Sequence, residues 1–213
     1  MKLLNLFVLC VFGATTALAG VGSAYLSKEQ VQNKDEVVDY GREYALGSAR
    51  DSANHASAVA GATGIALTSA GVGFLLAGNL PLGATLISMG SIEFAQMGAS
   101  QGVGQQNGTQ RNELVMGSPQ GNSYSDTSSP TTAKEALNSQ IDPRLNDFLK
   151  GKGIDPDLFR DSLISGQFND PSAALAGLGL NPSDYSTKAL EKAQMDAQKE
   201  FAKVADNVLG NMG

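Results

Sequence analysis

The chain has 213 residues and a formal charge of −6, with 42% apolar residues, 25 glycines and one cysteine but only 6% aromatic residues and no tryptophan. This composition excludes a wholly disordered chain and a polytopic membrane protein, and the shortage of bulky side chains argues against one well-filled core. The acidic balance removes the electrostatic basis for nucleic-acid binding, which needs clustered Lys and Arg side chains. We therefore expect more than one folded unit and no nucleic-acid partner.

Residues 1–19 have the pattern of a secretory signal peptide. Lys2 supplies the positive charge at the start, and an apolar run follows at 3–12. Ala17 and Ala19 form a small-x-small motif at the end of the segment, and cleavage is expected between Ala19 and Gly20. The sequence thus predicts an exported protein of the periplasm or cell envelope.

Two other interpretations of this segment are weaker. The apolar run 3–12 is too short for a membrane anchor, because a bilayer core needs about 20 residues. A lipoprotein signal is disfavoured because Cys10 lies inside the apolar run rather than after it. Cleavage would remove this cysteine, so we expect neither disulfides nor Cys-ligated metals in the mature chain.

Residues 20–60 predict an amphipathic helix. Charged side chains occupy one side, and mostly small residues recur at spacings of three and four on the other. The small-residue stripe comprises Val38, Gly41, Ala45, Ser48, Ser52, Ala56 and Val59. Such a stripe favours the close approach of another helix.

A long uncharged segment follows, with 41 consecutive residues between Asp51 and Glu93 that contain no Asp, Glu, Lys or Arg. The cluster Asn-Leu-Pro-Leu-Gly at 79–83 predicts a turn, because Pro cannot occupy a helix interior. The flanking segments predict two antiparallel helices, which form a Gly- and Ala-rich hairpin over 56–102. Its predicted helix-packing positions are Gly64, Gly71, Gly78, Gly83 and Gly90.

Two interpretations of this hairpin stay open. Small residues at helical spacing let helices pack backbone to backbone, so the hairpin is expected either to self-associate in water as a glycine zipper or to insert in lipid. As a helix, residues 56–78 would span about 34 Å, enough for a hydrocarbon core. Glu93 opposes insertion, because an acid near the bilayer centre costs about 2.5 to 3.5 kcal/mol. We expect Glu93 to be either a polar residue at a helix interface or, after insertion, an intramembrane one.

Residues 103–140 predict a flexible linker. They are rich in Gln, Asn, Gly, Ser and Thr and show no apolar period. Such a segment cannot bury enough apolar surface to offset the entropy of ordering.

Residues 141–213 predict a small α-helical module that folds by itself. Four Asp-Pro or Asn-Pro pairs each place a capping side chain before a proline at the first helical position. These pairs are Asp142–Pro143, Asp155–Pro156, Asp170–Pro171 and Asn181–Pro182. Three short helices are expected, followed by a long helix from about Pro182 to Leu209 with an apolar stripe.

No residue pattern indicates catalysis, a cofactor or a metal. His55 is the only histidine, and neither a nucleophile elbow nor an oxyanion loop accompanies it. Zinc sites need several His or Cys ligands. Asp155, Asp157 and Asp161 lack the central Gly and distal Glu of an EF-hand loop, so helix capping explains them better.

The sequence therefore predicts a non-enzymatic envelope protein that acts by helical self-association or by binding another envelope protein. The alternative from another class is a membrane-inserting glycine-zipper hairpin that serves as a channel or an anchor. A third hypothesis, an envelope hydrolase that uses an unrecognised pair of carboxylates, has the least support.

Overall fold

A computed structural model of the protein describes residues 40–116 and 130–212. These ranges contain seven α-helices and no strand, which confirms the predicted all-α fold class. The helices are α1 (Tyr40–Leu76), α2 (Leu80–Met116), α3 (Pro130–Gln140), α4 (Arg144–Gly151), α5 (Pro156–Ile164), α6 (Pro171–Gly177) and α7 (Thr187–Met212), with a 3-10 helix at Pro182–Asp184. The predicted signal peptide, its cleavage site and the first half of the predicted helix 20–60 lie outside the described residues.

Helices α1 and α2 are joined by a short turn, as the hairpin prediction requires. The turn falls earlier than 79–83, because Leu80 already begins α2. Pro81 is the second residue of that helix, where a missing N–H breaks no helical hydrogen bond. Gly78 adopts a φ of +87° in the turn, and a Cβ atom there would meet no atom within 4 Å. Gly78 thus serves the chain reversal, and its predicted role in helix packing is wrong.

Both arms of the hairpin are longer than predicted. The helix expected over 20–60 and the first arm of the hairpin are one continuous helix of 37 residues, α1. The second arm, α2, runs to Met116 rather than ending near residue 102. The linker predicted over 103–140 is therefore helical at both ends, and its remaining residues, 117–129, lie outside the described ranges.

The first compact unit contains residues 40–57 and 99–116 among those described. Leu46 and Ala53 are buried there, and a Cβ atom on Gly104 would lie 2.6 Å from Asn54 Oδ1. Close pairing of the two arms thus stabilises a helical segment whose own composition is that of a linker. Composition alone misassigned it because the stabilising partner is more than 40 residues away in the sequence.

The second compact unit joins residues 58–98 to helices α3–α7. Its larger apolar cluster includes Ile87 and Phe94 of the hairpin together with Leu145 and Leu163 of the C-terminal helices. Its smaller cluster joins the hairpin to α7 and contains Leu67, Leu82, Leu86, Ala193 and Ala197. The units therefore divide the chain differently from the predicted domains, because the apolar hairpin and the C-terminal helices bury their surfaces against each other.

The capping residues of the C-terminal helices behave largely as their sequence predicts. Asp155 accepts hydrogen bonds from the Asp157 and Leu158 N–H groups, and Asp170 accepts one from the Ala173 N–H. The last Asn-Pro pair begins only the 3-10 helix. The long helix begins later, at Thr187, and the hydroxyl of the preceding residue, Ser186, accepts from the Ala189 N–H. The predicted start of that helix near Pro182 is therefore wrong by five residues, because the serine supplies the effective cap.

Candidate functional site

Four of the five predicted packing glycines lie where the hairpin arms approach each other most closely. A Cβ atom on Gly71 would lie 2.8 Å from the Gly83 carbonyl oxygen, and one on Gly83 would lie 2.8 Å from the Gly71 carbonyl oxygen. About two helical turns further from the chain reversal, a Cβ atom on Gly64 would lie 3.1 Å from the Gly90 carbonyl oxygen. The backbones touch at these positions only because side chains are absent. These four glycines therefore pack the two arms of the hairpin against each other within one chain.

Ser91 ties the hairpin to the C-terminal helices. Its side chain is fully buried, and its hydroxyl donates to the Leu163 carbonyl oxygen over 2.8 Å. The same hydroxyl accepts a hydrogen bond from the Phe168 N–H over 3.3 Å. The intervening turn follows the backbone of α2 closely, because a Cβ atom on Gly166 would lie 2.6 Å from the Ala95 Cβ. The Ser91 hydroxyl therefore joins segments that lie 72 to 77 residues apart in the chain.

Glu93 is an isolated carboxyl group in the apolar interior of the second unit. Only 8% of the residue is exposed, and no described side chain forms an ion pair or a hydrogen bond with it. Burial raises the pKa of the Glu93 carboxyl to about 7, because removal from water disfavours the charged form. The predicted placement of Glu93 at a helix interface agrees with this burial within the second unit.

A groove lies between α2, α3 and α5 within the second unit and encloses about 560 Å³. Ala95, Gly98 and Ile164 supply its accessible apolar surface, and the buried side chains of Phe94 and Met97 lie beneath it. Lys134 and Asp161 also line the groove and form an ion pair of 2.6 Å. The pair joins side chains that are partly exposed, so it contributes little to stability. An apolar surface with two adjacent charged groups suits an apolar side chain flanked by polar groups.

The histidine and the aspartates singled out in the sequence belong to different compact units. His55 is exposed in the first unit, whereas Asp155 and Asp157 lie at the start of α5. Within residues 40–116 and 130–212, no three His, Cys, Asp or Glu side chains come close enough together to hold a metal ion. Glu93 does not line the groove, and no second carboxylate adjoins it in the described ranges.

No pattern in the sequence indicates the groove or the Lys134–Asp161 pair. Lys134 falls within the predicted linker, and Asp161 was interpreted only as part of a helix-capping cluster. The pair joins residues 27 positions apart, and no helical spacing signals such a contact. The buried amides of Gln101 and Asn107 in the first unit were also missed, because a polar segment gives no periodic signal of burial.

One stretch among the described residues, Tyr44–Leu76 in α1, is long and apolar enough to cross a membrane, and half of its most apolar window is buried within the protein. Core helices of water-soluble proteins meet the same criteria, so length and composition make α1 compatible with membrane association and no more. No family model matches the chain, and no curated protein or solved structure matches it significantly.

Proposed function

We propose that this chain is a non-enzymatic exported protein of the bacterial envelope that binds a partner through its helical surface. The groove between α2, α3 and α5 is the observation that carries the proposal. It combines an accessible apolar surface at Ala95, Gly98 and Ile164 with an ion pair in its lining, a combination that suits an apolar side chain of a helix or an extended segment. The partner is another envelope protein or a second copy of the chain.

The position of Glu93 supports a non-enzymatic role. Glycan-cleaving hydrolases use two carboxylates that flank the bond to be broken. Glu93 is buried away from the groove, and the described residues offer it no second carboxylate. A buried acid without substrate access suits a structural or regulatory role better than general acid catalysis.

Site-specific cross-linking tests the groove. A Cβ atom on Gly98, which lines the groove, would meet no atom within 4 Å, so a photo-reactive side chain fits there without disturbing the fold. Gly73 of α1 is the matched control, because it is an exposed helical glycine with equally open surroundings outside the groove. We expect a cross-linked envelope protein or a cross-linked dimer in cells with the probe at Gly98 and none at Gly73. Equal products at both positions, or none at either, would contradict binding in the groove.

Export can be tested separately from binding. If the signal prediction is right, the protein recovered from the cell envelope begins at Gly20, and Ala19→Arg blocks processing because the cleavage site needs a small residue there. N-terminal sequencing and intact mass distinguish the outcomes. An unprocessed chain in the cytoplasm would refute export but would not bear on binding in the groove.

A membrane-inserting hairpin is the second candidate function, and the length and apolar character of Tyr44–Leu76 favour it. Insertion would require the hairpin to leave the C-terminal helices that now cover Leu67 and Leu86. Retention of the mature protein in membranes after a carbonate wash would support insertion. Recovery in the soluble fraction without detergent would exclude it.

A further inference from the structure

By helical spacing, Glu93 lies on the same face of α2 as three residues that pack against α7. Leu82, Leu86 and Met89 lie on this face and belong to the cluster that includes Ala197 of α7. Glu93 follows Met89 by four residues, so it continues the same stripe by one turn of helix. The stripe therefore ends in a carboxyl group that is 8% exposed and has no ion-pair partner among the described residues.

Neighbouring elements supply no charge that would compensate an ionised Glu93. On α1, no Asp, Glu, Lys or Arg follows Asp51, and His55 is exposed in the other unit. On the side of α3 and α5, Lys134 and Asp161 pair with each other. Arg160 of α5 pairs with Asp157 and donates a hydrogen bond to the Asn146 side chain. On α7, Lys192 and Lys199 pair with Asp196, Lys203 pairs with Glu200, and Lys188, Glu191 and Asp206 are exposed.

We propose that α7 is a pH-sensitive cover on the hairpin, closed while the Glu93 carboxyl is protonated and loosened when that carboxyl ionises. An ionised carboxylate at this position has lost most of its water and has gained no ion-pair partner among the described residues, which is costly. Opening α7 returns water to the charge and exposes the hairpin leucines Leu67, Leu82 and Leu86. This device goes beyond partner binding in the groove, because it concerns the α7-covered residues of the hairpin, which do not line the groove.

The burial of Glu93 sets the pH range of the device. Its carboxyl has a pKa of about 7 when buried, against an ordinary value of 4.5 when α7 is open and water reaches it. At a pH between these two pKa values, the Glu93 carboxyl therefore loses one proton when α7 opens. The opening equilibrium should rise about tenfold per pH unit in that interval and level off above about pH 7.

Thiol labelling measures this opening in the full chain. Cys10→Ser removes the native thiol, and Ala197→Cys then places one thiol in the covered face of α7, where the native side chain is fully buried. Ala202→Cys, exposed on the same helix, is the matched control that corrects for the pH dependence of thiol reactivity. We expect the ratio of the two labelling rates to rise about tenfold per pH unit from about pH 5 to about pH 7. In the Glu93→Gln background the ratio should not change with pH.

A flat ratio in the presence of Glu93, or the same rise with Glu93→Gln, would overturn the proposal. Amide hydrogen exchange in the otherwise unchanged protein provides a second measurement that needs no cysteine. Exchange corrected for intrinsic rates should become faster with pH in α7 and should be faster in α7 than in α5 throughout this range, because α7 opens while α5 stays folded. Equal exchange in α7 and α5 would mean that the whole unit unfolds together, and would also overturn the cover.

Discussion

At the scale of single residues, burial without a partner makes the charged form of Glu93 costly. The pKa of its carboxyl is about 7 in the folded protein and 4.5 when water surrounds it. The folded state therefore binds one proton more than the unfolded state between these values, and the free energy of unfolding falls as pH rises through this interval. The contribution of Glu93 is fully present below about pH 4.5 and lost above about pH 7.

Glu93→Gln should therefore flatten the pH dependence of stability. A rise in pKa from 4.5 to about 7 corresponds to about 3 kcal/mol. The difference in free energy of unfolding between the variant and the natural protein should therefore be larger at pH 8 than at pH 4.5 by roughly that amount, in favour of the variant. Urea unfolding followed by circular dichroism at the two pH values measures the difference. Glu191→Gln, at an exposed position of α7, is the control and should leave the difference unchanged. Parallel pH profiles for the Glu93 variant and the natural protein would contradict the buried, unpaired carboxyl.

Ser91 is a second residue that we expect to contribute to stability, because its side chain forms two buried hydrogen bonds. Ser91→Ala removes the acceptor of the Phe168 N–H and the donor to the Leu163 carbonyl oxygen. Leaving a buried N–H unsatisfied costs about 1 to 3 kcal/mol, so we expect a loss of that order in urea unfolding. Ser139→Ala is the control, because that hydroxyl bonds only to its own helix at an exposed site, and it should cost less than about 0.5 kcal/mol. An equal decrease in the free energy of unfolding for the two variants would contradict a stabilising role for the Ser91 hydrogen bonds.

At the scale of elements, the hairpin depends on backbone contact between its arms. Gly71 and Gly83 approach each other's carbonyl oxygens so closely that neither position has room for a methyl group. Gly73, two residues from Gly71 on the same helix, faces open space. The two positions have the same intrinsic helix propensity, so substitutions there separate packing from propensity.

Gly71→Ala and Gly73→Ala should change stability in opposite directions. The first adds a methyl group to a filled contact, and we expect it to lower the free energy of unfolding by about 1 to 3 kcal/mol. The second gains helix propensity without a clash and should raise it by up to about 1 kcal/mol. Thermal unfolding followed by circular dichroism decides the sign of each change. Stabilisation by both variants would mean that the arms do not meet at Gly71.

At the scale of the whole chain, the apolar half of the hairpin and helices α3–α7 form one unit with shared cores. Ile87, Phe94 and Met97 of the hairpin pack with residues from four of the C-terminal helices. The C-terminal helices therefore lack part of their core when they are alone. The hairpin likewise exposes Leu82 and Leu86 without α7.

A fragment of residues 130–213 should consequently fail to fold cooperatively, in contrast to the independent module that the sequence suggests. We expect a broad, non-cooperative thermal transition and rapid proteolysis of the fragment. The full chain should show one cooperative transition that includes α5 and α7. Addition of a second fragment carrying residues 58–98 should restore protection if the shared core is real. A protease-resistant fragment with a sharp transition of its own would refute the shared core.

The sequence alone determined the local features of this protein. The helical class, the existence of the hairpin and the capping roles of Asp155 and Asp170 follow from rules that act over a few residues, and the structure agrees with each. The small residues at Gly71 and Gly83 likewise indicated close approach before any partner was known. These features were predictable because a cap or a helical stripe is complete within one element.

Only the tertiary structure decided which surfaces meet. The continuation of α2 through a segment of linker composition, the Ser91 contacts with the turn after α5 and the groove beside Lys134 all join residues that are far apart in the chain. No periodic pattern encodes such a pairing, because many apolar faces of similar size compete for the same partner. The burial of Glu93 arises in the same way, since one charge at the end of an apolar stripe becomes isolated only when the stripe is covered.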